Sequence, residues 1–365
     1  MRAISPSILI INIRLIGDVV LTTPLLDALK AAYPDSRIDF LVNRGTGEFL
    51  LKDPRVGHVH FSDKWNSGDK GTHNGYLSAI FRKYDIAICM NASDRGAIAT
   101  VMGGRDKRVG FFEPRKKLGA WWRRLLFTQP ILYQIDDHVV MRCAKALESI
   151  GIEAERLPVK VYWDEHDAQF VRQLLEKGEV QHSYFVVHPF ARWRYKYWDI
   201  KRFAELSDMV AVRYNQVPVW TSSPDPEEVE QLESAAAHCS VPPLLIPGTC
   251  TLNQMACLIQ GAFLFLGLDT AISHIAASTG VPMLALYGPT EMWRWHPWNN
   301  EIAPAGYEQP AGRGTFRYGR IVALQAECGH YPCIRPNCYE QGGENPCMMA
   351  ITAQEAFREI TDLLG

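Results

Sequence analysis

Asp18 sits at the corner of LIINIRLIGDVVLTTPLLDAL (residues 9–29), just after an apolar run over 8–13. A carboxylate there can cap the following helix by accepting from its first amides, or it can take a proton from a substrate hydroxyl as a general base. Spacing alone leaves both readings open. A second group is cationic: Arg192, Arg194 and Lys196 in HPFARWRYKYWD (188–199) are suited to neutralising a diphosphate leaving group, and the competing reading is a solvated charged loop. The third is LDTAISHIAASTG (268–280), where Asp269 or Thr270 caps a helix that opens on Ala271 and carries His274. Helix N-termini hold phosphate through amides and the dipole, and against this stands a plain capped helix with His274 satisfied in the core.

Two further segments carry unusual composition. Four of the nine cysteines, Cys328, Cys333, Cys338 and Cys347, follow a C-x4-C-x4-C-x8-C spacing with His330 among them. Structural zinc and a loop of reduced thiols both fit, because the spacing is looser than the paired ligands of familiar zinc sites. Residues 105–124 hold eight Lys or Arg against Asp106 and Glu113, with Trp121 and Trp122 beside Leu125 and Leu126. Basic residues among tryptophans suit an anionic membrane surface. A solvated loop or a site for an acceptor phosphate has the same composition.

The elements that must position these residues alternate in type. Short apolar runs at 8–13, 38–42, 56–61, 84–90 and 108–111 read as strands, and a second series at 184–188, 217–221, 244–247, 263–267 and 283–288 follows a charged helix at 164–177. Past the first corner, Leu21, Leu25, Leu29 and Ala32 recur at helical spacing. That helix starts either at Thr23 and Pro24 or near Gly17 with a bend at Pro24. Residues 299–320 read as a loop and 352–364 as a terminal helix. Two successive βα series predict two doubly wound domains with a cleft between their strand ends as the default active site. The boundaries are expected at 1–165 for the first domain, 180–350 for the second and 351–365 for the C-terminal helix.

Composition excludes several classes. A net charge of −2 argues against a general nucleic-acid binder, and no segment approaches the ~20 apolar residues of a membrane span. The N-terminal apolar run passes into an amphipathic helix without a small-residue cleavage pattern, so a cytoplasmic chain is expected. The G-x-G-x-x-G fingerprint is missing after the first strand, which disfavours an NAD enzyme.

Taken in order, the Gly17-Asp18 corner, the 188–198 loop, the Asp269 to His274 segment and Leu286-Tyr287-Gly288-Pro289-Thr290 resemble glycosyltransferase family 9, the lipopolysaccharide heptosyltransferases, over nearly the whole chain. HPFARWRYKYWD, LDTAISHIAA and MWRWHPW are most similar to the heptosyltransferase III branch. The resemblance implies a GT-B fold, with two Rossmann-like domains facing across a cleft, the first (1–165) binding the acceptor and the second (180–350) the nucleotide sugar. It also implies inverting transfer of heptose from ADP-heptose to an inner-core lipopolysaccharide acceptor at the cytoplasmic face of the inner membrane, as a peripheral protein needing neither cofactor nor metal. Asp18 becomes the base, Lys196 with Arg192 the cations on the donor diphosphate, and Asp269 the partner of the heptose hydroxyls. Thr270, Ala271 and His274 lie against the phosphates, and Arg95 and Arg123 become acceptor contacts. Two positions depart from the pattern: Ala191-Arg192 stands where some members have paired threonines, and Ala271 where a glycine is usual. The alternatives are a GT-B transferase with another nucleotide sugar and an inactive scaffold.

Overall fold

The computed structural model describes residues 5–62, 75–113, 122–181, 183–309, 313–327 and 345–365. The chain divides into two units, Met1–Tyr162 with Asn300–Glu308, and Trp163–Asn299 with Gln309–Gly365. The return of 300–308 to the first unit has a local cause. Asn300 accepts from the Val159 amide at 2.8 Å and donates to the Val159 carbonyl at 2.9 Å, closing a two-point backbone clamp.

The first unit is built on strands β1 (Ser7–Asn12), β2 (Arg37–Asn43), β3 (His58–Ser62), β4 (Tyr84–Cys89), β5 (Gly104–Phe112) and β6 (Gln129–Leu132). They form one sheet in the order β3-β2-β1-β4-β5-β6, with every pair parallel. Helices α1 (Ile16–Val20), α2 (Pro24–Ala32), α3 (Gly75–Ile80), α4 (Asp94–Gly103), α5 (Trp122–Leu126) and α6 (Met141–Glu148) lie in the connections. A parallel strand needs a crossover and is covered on both faces, which is why 8–11 can be apolar without alternation and fully buried.

The second unit opens on α7 (Glu165–Lys177), whose N-cap Asp164 exchanges side-chain and backbone bonds with Asp167. Its strands are β7 (Tyr184–His188), β8 (Val217–Ser222), β9 (Leu244–Pro247), β10 (Phe265–Leu268), β11 (Met283–Tyr287), β12 (Gly314–Tyr318) and β13 (Ile321–Gln325), in the order β12-β13-β11-β10-β7-β8-β9. Its helices are α8 (Ile200–Tyr214), α9 (Pro226–Ala236), α10 (Leu252–Gln260), α11 (Ala271–Thr279), α12 (Met292–Trp295), α13 (Pro346–Met349) and α14 (Ala353–Leu364). All pairs are parallel except β12 with β13. Part of the 299–320 stretch is therefore not loop, because Thr315 to Tyr318 pair along the edge of β13. Glycines and polar residues hide an edge strand that only its partner's ladder creates.

Both sheets reverse their winding once, between β1 and β4 in the first unit and between β7 and β10 in the second. At such a switch point the adjacent connections leave in opposite directions and open a crevice at the carboxyl ends of the strands.

Candidate functional site

At the second switch point the loop after β7 meets the loop after β10. Lys196 lies in a single turn, Arg194–Lys196, and its ammonium donates to Asp269 Oδ2 at 2.5 Å and to the Asp269 carbonyl at 3.3 Å. The pair is largely shielded, at 16% and 5% side-chain exposure. Shielding strengthens the attraction and holds the two groups in register. An ammonium has three protons and a carboxylate two oxygens, so each partner keeps capacity for a ligand beyond this contact.

Asp269 is followed by Thr270, the N-cap of α11, whose hydroxyl oxygen accepts from the Ile272 amide at 3.1 Å. Ala271 as the first helical residue keeps side-chain bulk away from the helix N-terminus. Ser273 donates to the Leu268 carbonyl at 2.5 Å, tying the first turn of the helix to the end of β10. His274 is buried one turn in, and its Nδ1 has no hydrogen-bond partner among the described residues. Burial pushes His274 down to about 4, with Asp269 opposing and Lys196 adding to the shift. At neutral pH it is an uncharged imidazole beside a charged pair.

The surrounding loops are held from far along the chain. Asn345 donates to the Tyr195 carbonyl at 2.6 Å, and Trp198 Nε1 donates to the Ile351 carbonyl at 3.0 Å. Gln325 Nε2 donates to the carbonyls of Gly288 and Thr290, at 2.5 and 2.9 Å, and Arg313 adds a bond to Gly288 at 3.2 Å. Sequence reasoning missed Asn345, Gln325 and Arg313. No local signal marks them, since each acts on a backbone carbonyl many residues away. The three basic residues of the 188–199 loop do not act as one patch. Arg194 pairs with Glu227, and Arg192 is exposed with its guanidinium 5.4 Å from the Trp193 ring centre.

At the first switch point, Asp18 is the third residue of α1 and half-buried. Arg14 places its guanidinium 3.7 Å from Asp18 Oδ1. The two sequence readings of the helix start each capture one part. One helix begins at Ile16, a second begins at Pro24 with Thr23 as its N-cap, and neither N-cap uses a side-chain bond. Asp18 is therefore not the N-cap of α1; Leu15 is.

Arg95 and Arg123 take different partners, Arg123 at the connection between β4 and α4 and Arg95 on β3. Arg123 donates to Asp94 at 2.7 Å and to the Ala92 carbonyl at 3.0 Å, and the exposed Arg95 donates to Ser62 at the end of β3. Of the cysteine cluster, Cys328, Cys333 and Cys338 lie outside the described residues, as do His330 and residues 114–121 of the basic segment. Cys347 is buried and reduced, with Arg313 Nη1 at 3.2 Å from its sulfur. Among the described residues, Asp164, His166 and Asp167 place ligand-type atoms within 4.8 Å of one another. The capping exchange already accounts for the two aspartates.

The family model for glycosyltransferase family 9 (heptosyltransferase) matches residues 78–313. Lipopolysaccharide heptosyltransferase 3 of Escherichia coli is 29% identical over 79% of this chain and 85% of that protein. A family 9 glycosyl transferase from Veillonella parvula superposes with a TM-score of 0.74 at 19% identity, covering 100% of this chain and 98% of that one. The E. coli heptosyltransferase WaaC with ADP gives 0.71 at 18% identity, covering 98% and 99%. At those identities the structural likeness is one of fold, and the fold is the GT-B class that the motifs had suggested.

Proposed function

We propose, from the premise that the chain belongs to glycosyltransferase family 9, the heptosyltransferases, that it transfers heptose from ADP-heptose to the inner core of lipopolysaccharide, as the heptosyltransferase III branch does. The Lys196–Asp269 pair at the second switch point carries this reading. Lys196 stabilises the diphosphate as it gains charge during departure of ADP, and a fixed cation in a shielded site does so without reorganisation. Asp269 binds heptose hydroxyls through its second carboxylate oxygen. The N-terminus of α11 at Thr270 and Ala271, with the neutral His274 behind it, receives the phosphates.

Asp18 deprotonates the acceptor hydroxyl, which attacks the anomeric carbon from the face opposite the leaving ADP, and the configuration inverts. Arg95 and Arg123 are the proposed acceptor contacts, with Arg192 a second cation toward the donor. No resident metal or cofactor enters this scheme, since an ammonium and a helix N-terminus supply the positive charge at the leaving group. No described helix is long and apolar enough to cross a membrane. A cytoplasmic enzyme reaching its lipid-linked acceptor through the basic 105–124 segment is the corresponding proposal for location.

Purified protein incubated with a panel of nucleotide sugars and truncated core acceptors should add one heptose from ADP-heptose alone, as read by product mass. Transfer from another nucleotide sugar in its place refutes the donor. Asp18→Asn should keep ADP-heptose binding and lose about 10²- to 10⁴-fold in turnover. A variant with more than half of wild-type activity removes Asp18 from the mechanism.

A further inference from the structure

The break between α1 and α2 has an identifiable cause. In a continuous helix the Asp18 carbonyl would accept from the amide of Thr22, four residues on. Here the Thr22 amide goes to the Val19 carbonyl at 3.0 Å instead. The Asp18 carbonyl is taken by two side chains, Thr22 Oγ1 donating at 2.8 Å and Asn12 Nδ2 donating at 2.9 Å. Asn12 also donates to Thr22 Oγ1 at 2.7 Å, so the three groups form a closed triangle. Threonine bonding back to the carbonyl four residues before it bends helices.

Asn12 is the last residue of β1 and, like Thr22, is fully shielded, at 3% and 1% exposure. The triangle thus joins the rigid end of the central strand to the peptide of Asp18. Asn12 commits both amide protons to it, while its own Oδ1 stays buried with no hydrogen-bond partner among the described residues. A buried acceptor left unsatisfied is an energetic cost, and such costs gather where geometry serves function.

We infer that Asn12 and Thr22 are positioning residues for the reaction, which hold the Asp18 main chain, and so its carboxylate, at a fixed place beyond the end of β1. They touch the peptide of Asp18 and act through it, so the inference rests on Asp18 being the base. A carboxylate displaced by about 1 Å loses on the order of 10²-fold in rate. Side chains that set its position therefore bear on turnover, and donor affinity, set in the second unit, is untouched.

Thr22→Val removes the hydroxyl and keeps the shape, and Thr22→Ser keeps the hydroxyl. Thr22→Val should lower kcat by roughly 10- to 100-fold with unchanged ADP-heptose affinity by calorimetry, and Thr22→Ser should restore most of it. In an Asp18→Asn background the same change should cost no more than about two-fold in residual turnover, because the group it positions has gone. If Thr22→Val does not hold the fold, Thr22→Cys, with a weak donor of similar volume, takes its place with the same expectation. Wild-type kcat in the valine or cysteine variant, with at most a lower melting temperature, overturns the inference and leaves a merely structural lock. So does an equal loss in both backgrounds. The base assignment fails separately, by activity in Asp18→Asn alone.

Discussion

Lowering the pH from 7 to 5 should cost the second unit most of its stability. His188, His274 and His296 are each buried there and each pushed by burial down to about 4. The unfolded chain titrates the same imidazoles near 6.5. Between those values the unfolded state binds more protons than the native one, so stability is fully present above about 6.5 and falls as the pH drops toward 4. At pH 5 each histidine contributes a loss of about 2 kcal/mol, and the three together about 6, comparable with the whole stability of an ordinary domain. Urea unfolding at pH 7.5, 6.5, 5.5 and 5.0 measures it, followed by tryptophan fluorescence. The buried indoles of Trp198, Trp220 and Trp298 all report on this unit. The His274→Gln variant should lose about one third less between pH 7 and 5. A wild-type stability that stays level within about 1 kcal/mol over that range refutes the burial argument, since three imidazoles with native values near 6.5 would produce it.

Lys196→Met should weaken ADP binding at least ten-fold and, by leaving Asp269 shielded without its partner, destabilise the second unit by about 3 kcal/mol. Adding Asp269→Asn should return most of the stability and none of the affinity; equal recovery of both, by melting and calorimetry, argues against the diphosphate role. Gly248→Ala should cost more than about 2 kcal/mol by urea unfolding, because its φ of +60° is left-handed and a Cβ would lie 2.5 Å from the Pro224 Cα, which is backbone and cannot swing aside. The protein should co-sediment with anionic but not zwitterionic vesicles and come off in roughly 0.5 M salt. Equal binding to both vesicle types rules out the electrostatic reading of residues 105–124.

Hydrophobic runs and their breakers determined the two βα series, and with them the strands that carry Asp18, Lys196 and Asp269 to the carboxyl ends of two sheets. That much is local, because a strand buried on both faces must be apolar throughout and the residue that ends it must be polar or glycine. Family motifs marked which polar residues to watch. The partnerships came only from the tertiary structure. Lys196 and Asp269 are 73 positions apart, so nothing in either segment could announce their ion pair. Arg192, Arg194 and Lys196 look alike in sequence, yet packing sends one to Asp269, one to Glu227 and one over an exposed ring. Strand β12 exists because β13 offers it a ladder, and β6 because β5 does, although neither segment has a run apolar enough to show alone. The helix break at 21–23 is the plainest case. Pro24 permits it, but the Asp18 carbonyl is taken away from the helix by two side chains, Thr22 from within the break and Asn12 reaching over from the strand. Sequence periodicity records which face of an element is buried; the destination of a side-chain hydrogen bond depends on what the fold brings beside it.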